Sequence, residues 1–310
     1  MTTVHEARVA AMGTTAKVMV VGGDEPLLDH LLWRLEALEA AWSRFRSDSE
    51  ISTLHRRAGE FVYVSAETFD LVAKASFARE LTAGAFDPLL REPLERLGYD
   101  RTFADIGHAD HDAVGAPPSA LWAPAVEDIA LDHAGQAVRL PVGFGFDPGG
   151  IGKGLAADIL AVDALDRGAA GVLVSIGGDL RVAGTPPDMT SWGVRLAEPA
   201  IGHDLDELLG LDHGAVATST TKKRVWGDGL HHLLDPQTGR PHAAAADGSN
   251  PVLVTIVAGE AWYGDAMTKA CFARPDFVPP ATAGLIITQA GERATFGDFE
   301  SLCIELKVSA

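Results

Sequence analysis

Apolar and polar positions along the first third of the chain mark out two strands and two helices. Residues 8–21 alternate between apolar and polar side chains on either side of Gly13, which predicts two strands joined by a turn. Residues 26–45 carry Leu and Trp at helical spacing with Glu between them, and residues 65–83 form a second helical pattern behind Ser65. Ser65 is therefore the expected N-cap, because its hydroxyl can accept from a free backbone N–H.

From residue 129 onward, short alternating runs and longer helical patterns are mixed. Helices are predicted over 154–167 and 259–273, and strands over IALD, AVRLP, FGFD, GVLVSIGGD, DLRVAG, WGVRLAEP, AVATST, KRVW, VLVTIVAG, GLIITQAG, ATFGDF and CIELKV. Strands and helices do not alternate one for one, so the order favours an α+β fold over a doubly wound parallel sheet.

The segment 104–127 differs in composition from its surroundings. It is rich in Ala and Pro and shows little periodicity, which is typical of a surface excursion or linker. It contains His108, Asp110, His111 and Asp112, but their spacing matches no tight metal site. We therefore interpret this segment as a solvated loop.

The net charge of the chain limits the kinds of ligand that it can bind by charge. Its 310 residues carry 25 Lys and Arg against 43 Asp and Glu, a net charge of -18. Such a surface argues against binding nucleic acid or anionic lipid by charge, so a phosphate ligand would need local devices. Cys271 and Cys303 lie in apolar contexts and are interpreted as buried thiols. Neither a transmembrane segment nor a secretory signal is recognisable, so a cytoplasmic location is expected.

The stretch DPGGIGKGLAAD at 147–158 is the first candidate for chemistry. A P-loop requires Ser or Thr after its lysine, and here Gly154 follows Lys153. A dinucleotide fingerprint can be fitted only loosely, and no βαβαβ unit surrounds it. What remains is a glycine-rich turn that opens a helix beside a lysine, which is either an anion site or a tight turn with a surface lysine.

Three further stretches combine polar side chains with tight turns. Asp179 follows two glycines at a strand end, in a candidate ligand site or a hairpin turn. His231 and His232 lie in a polar run after a cluster of hydroxyls, and histidine is the natural base near neutral pH. Asp265 precedes Lys269 by four residues at a predicted helix start, which also fits a capping aspartate with a helical ion pair.

The order of these blocks resembles one family. MGTTAKV, WSRFRSDSEIS, GAFDP, DPGGIGKGLAAD, SIGGDLRVAG, HHLLDPQTGRP and VTIVAG…GDAMTKA follow one another as in the ApbE-type FAD:protein FMN transferases, from about residue 12 to about residue 290. The resemblance implies one domain over residues 1–310, with helices and a largely antiparallel sheet related to the T-fold. It also implies transfer of the FMN moiety of FAD to a Thr or Ser hydroxyl of an acceptor flavoprotein, with release of AMP and help from Mg²⁺.

The resemblance also implies roles for individual residues. Those expected to contact FAD are Met12, Phe45, Ala85, Phe86, Asp87, Asp147, Lys153 and Asp179. His232 is expected to help deprotonate the acceptor hydroxyl, and Lys153 to assist catalysis. The carbonyl of Gly150 and the carboxylate of Asp265 are expected to hold the metal.

One departure from the family pattern concerns the metal. The family's usual Thr ligand, four residues after the metal-binding Asp, is replaced here by Lys269. A protonated lysine cannot bind Mg²⁺, so either a weaker metal site remains or the ammonium partly replaces the metal. Two other functions stay open: an FAD pyrophosphatase that forms FMN and AMP, and a non-catalytic FAD-binding protein. An NAD-dependent oxidoreductase lacks its fingerprint here.

Overall fold

A sheet of eight antiparallel strands runs through the part of the chain that the computed structural model describes, which is residues 2–106, 125, 128–187, 190–198, 201, 205 and 207–304. The strands are β1 (Val4–Ala11), β2 (Thr14–Val21), β3 (Val62–Tyr63), β4 (Ala130–Asp132), β5 (Ala137–Arg139), β6 (Gly171–Ile176), β7 (Asp179–Gly184), β8 (Trp192–Leu196), β9 (Glu207–Leu211), β10 (Gly214–Thr220), β11 (Val225–Trp226), β12 (Leu230–His231), β13 (Leu234–Asp235), β14 (Arg240–Pro241), β15 (Pro251–Ala258), β16 (Ala283–Thr288) and β17 (Arg293–Phe296).

The helices are α1 (Glu25–Trp42), α2 (Glu50–Arg56), α3 (Ala66–Leu81), α4 (Arg91–Arg96), α5 (Gly152–Asp166), α6 (Ala261–Ala273) and α7 (Phe299–Leu302), with short 3-10 turns at Phe103–Asp105 and Pro148–Gly150. Ser65 caps α3, where its hydroxyl accepts from the N–H of Thr68 at 3.3 Å, as predicted. Every helix among the described residues is too short or too polar to cross a bilayer.

The strand order of the large sheet is β1-β2-β6-β7-β10-β15-β16-β17, with each neighbouring pair antiparallel. Helices α1, α5 and α6 pack on one face and build the main core. The β8–β9 hairpin and α7 contribute to a second core cluster with residues of the sheet. Strand β15 is buried along its whole length, as its unbroken apolar run predicts. The predicted α+β fold with a largely antiparallel sheet is thus confirmed.

Several predicted boundaries change, and two of the changes matter for the site. The helix predicted over 26–45 ends at Trp42, where Ser43 turns to extended backbone and lets Phe45 leave the helix. The strand predicted at FGFD is wrong. That segment lies between two prolines, which cannot donate to a ladder, and Gly143 bends it with a φ of 85°. Asp147 consequently ends no strand but caps the 3-10 turn that follows it.

Three further predictions concern the C-terminal segment, the segment 104–127 and the two cysteines. The strand predicted at CIELKV is present only as an isolated bridge between Leu209 and Cys303, and residues 305–310 lie outside the described residues. Most of the 104–127 excursion also lies outside them, including His108, Asp110, His111 and Asp112. Cys271 is buried as predicted, whereas Cys303 is only half-buried.

Candidate active site

A single cleft gathers most of the residues that the sequence singles out. It is an open cleft with about 1330 Å³ of free space, solvent at its mouth included. The predicted residues that line it are Met12, Phe45, Ala85, Phe86, Asp87, Asp147, Gly150, Lys153, His232 and Lys269. Asp179 and Asp265 do not line it, because both are buried behind the lysines.

The floor of the cleft is the glycine-rich turn that leads into α5. Asp147 caps this turn by accepting from the N–H of Gly149 at 3.3 Å. Lys153 reaches back and donates to the carbonyl of Gly149 at 3.2 Å. The residue after this lysine must be small, since a Cβ on Gly154 would lie 2.3 Å from the carbonyl oxygen of Ala261 in α6. The hydroxyl that a P-loop requires at position 154 therefore has no room here.

Behind the turn lies a cluster of four charged side chains, Lys153, Asp179, Asp265 and Lys269, which we call the lysine–aspartate cluster. Lys153 Nζ lies 2.9 Å from Asp179 Oδ2 and 3.3 Å from Asp265 Oδ2. Lys269 Nζ is bonded to Asp265 Oδ1. The four residues come from α5, β7 and α6, so the cluster joins three elements that are far apart in the sequence. Its formal charges sum to zero.

The pKa values of this cluster follow from burial and from the opposite charges within it. Burial alone would lower the pKa of Lys153, but Asp179 and Asp265 raise it above its ordinary value. Burial would raise the pKa of Asp265, and the two lysines instead hold it below its usual range. Burial lowers the pKa of Lys269, although Asp265 opposes this shift. Burial and the neighbouring Asp265 raise the pKa of Asp179. Coulombic attraction therefore keeps Lys153 charged beside the cleft.

Asp179 and Asp265 position lysines rather than face the cleft. Asp179 opens β7 after the two-residue turn Gly177–Gly178, and its Oδ1 accepts from the N–H of Thr218 at 3.3 Å. The turn is thus a hairpin and also a support for Lys153. The alternative of Asp265 as a helix cap is wrong, because α6 begins at Ala261 and its N-cap is Glu260. The predicted ion pair between Asp265 and Lys269 is present.

One wall of the cleft is aromatic. Phe45 and Tyr99 have ring centroids 5.9 Å apart. The guanidinium of Arg44 lies over both rings, at 4.3 Å and 4.7 Å from their centroids. Arg44 Nε also lies 3.1 Å from Asp147 Oδ1, so this wall is tied to the glycine-rich turn by a buried ion pair. Flat aromatic faces of this kind suit a planar ring system.

Another part of the cleft lining is formed by the segment after α3. The N–H of Phe86 donates to the hydroxyl of Thr82 at 3.0 Å, which closes the turn at the end of the helix. Asp87 is buried and accepts from the N–H of Leu89 at 2.9 Å, and burial raises its pKa despite the nearby Arg79. Ala85 and Phe86 are also buried where they line the cleft.

Met12 contributes its side chain from the turn between β1 and β2. Met12 and Gly13 both have positive φ, at 51° and 67°, which is the pattern of a type I′ hairpin turn. Glycine adopts this backbone freely, whereas methionine does so at a cost of about 1–2 kcal/mol. The strained residue therefore lies at the cleft, where such strain is often found.

His232 presents a neutral imidazole at the cleft. Burial lowers its pKa well below the ordinary value, and the positive charges of Arg224, Lys269 and Lys153 lower it further. Its Nδ1 atom is buried and has no hydrogen-bond partner among the residues described. The adjacent His231 has a buried Nδ1 without a partner among the same residues as well, but it does not line the cleft, and its Nε2 lies 3.2 Å from the carbonyl oxygen of His242. The structure thus distinguishes between the two histidines.

The cleft is also lined by residues that the sequence did not single out, among them Arg44, Tyr99, Arg224 and His242. Arg44 had a local signal, because it stands between Trp42 and Phe45. Tyr99 and Arg224 had none, since their side chains meet across 125 positions of sequence, with Arg224 Nη1 3.4 Å from the hydroxyl of Tyr99. His242 packs against Phe272, with ring centroids 6.0 Å apart.

Fold and site together define an α+β protein with an open cleft that is aromatic on one side and carries lysines at its floor. A model of the ApbE family matches residues 12–277. The chain therefore belongs to the ApbE family, as the order of its sequence blocks indicates.

Named relatives and solved structures agree with this assignment. The FAD:protein FMN transferase of Klebsiella pneumoniae is 26% identical over 287 residues, which is 87% of this chain and 85% of the relative. That of Salmonella typhimurium is 29% identical over 82% of this chain and 74% of its own length. The ApbE protein of Thermotoga maritima superposes with a TM-score of 0.82 at 26% identity, covering 98% of this chain and all of its own. The flavin transferase ApbE of Vibrio cholerae has the same fold, with a TM-score of 0.75 at 21% identity over 97% of this chain and 100% of its own.

Proposed function

We propose that this protein is an FAD:protein FMN transferase, which moves the FMN moiety of FAD to a Thr or Ser hydroxyl of an acceptor flavoprotein. The main support is the cleft, in which an aromatic wall, a glycine-rich turn with a lysine and a neutral histidine face the same space. Membership of the ApbE family and relatives that are named for this reaction support it as well.

FAD would lie across the cleft with a ring system on the aromatic wall. Phe45 offers an aromatic face beside Tyr99, and Met12 and Phe86 add apolar surface. The buried Asp87 is a candidate hydrogen-bonding partner for a polar edge of the ligand. Burial of aromatic surface, with a few polar groups to set orientation, is how such pockets hold planar ligands.

The pyrophosphate of FAD would face the glycine-rich turn and Lys153. No side chain of its N-cap residue closes the start of α5, and the positive end of the helix dipole favours an anion there. Lys153 adds a full positive charge, which the buried carboxylates behind it maintain. These groups can bind an anion despite the net charge of -18, because they act on the ligand at contact distance.

In the reaction, the hydroxyl oxygen of the acceptor attacks the phosphorus of the FMN half. A new P–O bond forms to the acceptor, the bond to the bridging oxygen breaks, and AMP leaves with that oxygen. The hydroxyl proton must go to a base, and His232 is the candidate because its neutral imidazole lines the cleft. Lys153 would stabilise the negative charge that builds up on the phosphoryl oxygens.

The magnesium ion implied by the family resemblance is a separate question. Its expected holders are Gly150 and Asp265, but Asp265 is buried and both of its carboxylate oxygens are bonded to lysines. This donor set fits a divalent cation poorly.

The test combines transfer and binding measurements on the purified protein. Incubation with FAD and a small acceptor domain should add one FMN, less water, to the mass of the acceptor, with one AMP released for each. His232→Ala should lower the transfer rate by about 10²–10⁴-fold while FAD still binds, as measured by quenching of flavin fluorescence. His213→Ala is the matched control, since His213 is exposed and lies outside the cleft.

Other outcomes would point to the alternative functions. Release of AMP at the same rate without any acceptor would identify an FAD pyrophosphatase. Tight binding of FAD with neither transfer nor AMP release would identify a non-catalytic FAD-binding protein. Transfer by His232→Ala at the wild-type rate would exclude His232 as the base.

A further inference from the structure

The cluster around Asp265 has a feature that the family resemblance does not explain. Asp265 Oδ1 accepts from Lys269, and Asp265 Oδ2 accepts from Lys153 at 3.3 Å and from the N–H of Gly154 at 3.4 Å. The side chain of Asp265 is entirely buried. Each of its oxygens is therefore occupied by a hydrogen-bond donor, and two of the three donors carry positive charge.

Lys269 also occupies the space beside the other expected metal holder. The Cε atom of Lys269 would lie 3.7 Å from a Cβ built on Gly150, so its aliphatic stem runs past the glycine-rich turn. Its ammonium thus lies between the turn and Asp265, where the metal is expected. A divalent cation at this position would meet strong repulsion from both lysines.

The neighbouring hydroxyl does not compensate for the missing threonine. Thr268 is fully buried, donates to the carbonyl of Asp265 at 2.7 Å and shares a hydrogen bond with Ser219 at 2.8 Å. Mg²⁺ prefers six oxygen ligands in near-octahedral geometry. Within the described residues, no group of three His, Cys, Asp or Glu side chains is placed to hold a metal.

We propose that Lys153 and Lys269 together take the place of the divalent cation in this chain, so that FMN transfer needs no protein-bound metal. This inference rests on the proposed transferase function. Two ammonium groups supply the two positive charges of a magnesium ion. The N–H donors of Lys269 that Asp265 does not accept are available to phosphoryl oxygens. They stabilise the charge that passes to the bridging oxygen as AMP leaves, while Asp265 holds both in place.

The experiment compares wild type with Lys269→Thr and Lys269→Met, all stripped of metal. Lys269→Thr restores a hydroxyl ligand and frees one oxygen of Asp265. Lys269→Met keeps the apolar stem of the lysine but has neither a hydroxyl nor an ammonium group. Lys17→Met is the matched control, because Lys17 pairs with Glu6 outside the cleft. Binding of Mn²⁺, followed by electron paramagnetic resonance without FAD, is measured beside AMP release and FMN transfer in EDTA and in Mg²⁺.

Wild type and Lys17→Met should bind no Mn²⁺ at micromolar concentrations and should transfer FMN equally well in EDTA and in Mg²⁺. Lys269→Thr should bind Mn²⁺, lose about 10²-fold or more of its rate in EDTA and regain much of it in Mg²⁺. Lys269→Met should bind no Mn²⁺ and stay slow in both solutions.

Micromolar Mn²⁺ binding by wild type that Asp265→Asn abolishes would overturn the proposal, as would loss of wild-type transfer in EDTA that Mg²⁺ reverses. The metal-binding result does not depend on turnover. If no condition gives FMN transfer or AMP release while FAD still binds, the proposed function fails, and the Mn²⁺ measurements still decide whether lysines replace the cation.

Discussion

The Asp179→Asn variant distinguishes between two possible roles of the buried Asp179 carboxylate. The family resemblance implies that Asp179 contacts FAD, whereas its geometry indicates that it holds Lys153 in place from behind the cleft. The variant removes the charge but keeps an oxygen that can accept from the N–H of Thr218. We therefore expect a loss of stability without a loss of FAD affinity.

The size of the stability loss follows from the two bonds of Lys153. Its Nζ lies 2.9 Å from Asp179 and 3.3 Å from Asp265. At an effective dielectric constant of about 20, these distances give gross attractions of roughly 6 and roughly 5 kcal/mol. Lys153 thus keeps about half of its attraction in the variant. Removal of one partner of a buried ion pair costs about 3–5 kcal/mol, and we expect about 3 kcal/mol because Asp265 remains and burial already raises the pKa of Asp179.

The effect on FAD has the opposite sign. With both aspartates ionised the cluster has no net charge, and with Asn at 179 it carries one positive charge beside the expected pyrophosphate site. An added charge in a screened site contributes about 1 kcal/mol, so FAD should bind roughly three- to tenfold more tightly. A residue that contacts FAD through its carboxylate would instead show weaker binding when replaced.

The assay is urea unfolding followed by circular dichroism, together with an FAD titration by flavin fluorescence. Asp166→Asn is the control, since Asp166 is exposed at the end of α5, and it should change the unfolding free energy by less than about 0.5 kcal/mol. An Asp179→Asn protein as stable as wild type would refute the reasoning about Lys153. Unchanged stability with FAD affinity lowered tenfold would instead assign Asp179 to the ligand.

Two further predictions concern strain and pH. Met12→Gly should raise the unfolding free energy by about 1 kcal/mol in urea unfolding, because glycine accepts the φ of 51°. It should also weaken FAD binding, because it removes a side chain from the cleft. A lower unfolding free energy would show that the packing of Met12 outweighs the strain. Burial, helped by Arg91, lowers the pKa of His55 to about 4, so the unfolded state takes up a proton first and stability falls as pH drops from about 6.5 toward 4. Wild type should therefore lose about 2 kcal/mol more than His55→Gln between pH 7 and pH 5, measured by urea unfolding at both values, and equal losses would contradict the assignment.

Local patterns in the sequence were sufficient for the elements that build the frame of the cleft. The hairpin around Gly13, the capped helix after Ser65 and the buried strand β15 all follow from alternation, helical spacing and capping residues. Such signals lie within a few residues of one another. They place Met12 at a turn between two strands, but they do not show what the turn faces.

The contacts that give the site its chemistry were not visible in this way. The local sequence left open whether Asp265 caps a helix, and the observed start of α6 at Ala261 places it inside the helix, bonded to Lys269. Its second partner, Lys153, lies 112 positions away in sequence. The same holds for Gly154, whose lack of a side chain is explained by the carbonyl of Ala261 and not by any phosphate. Long-range packing sets these positions, and one sequence does not reveal it.

The lysine–aspartate cluster also explains how a chain of net charge -18 can hold an anion. Salt at physiological strength screens surface charges beyond about 8 Å, so the acidic surface acts mainly on approach. Within the cleft, the ends of Lys153 and Lys269 are partly exposed beside the glycine-rich turn, while Asp179 and Asp265 are buried behind them. A carboxylate between the lysines and the ligand would cancel the positive potential that the ligand experiences. A carboxylate buried behind the lysines instead keeps them charged and holds them in place. The floor of the cleft therefore attracts an anion because the lysines of the cluster are partly exposed and its aspartates are buried, and not because of the net charge of the cluster.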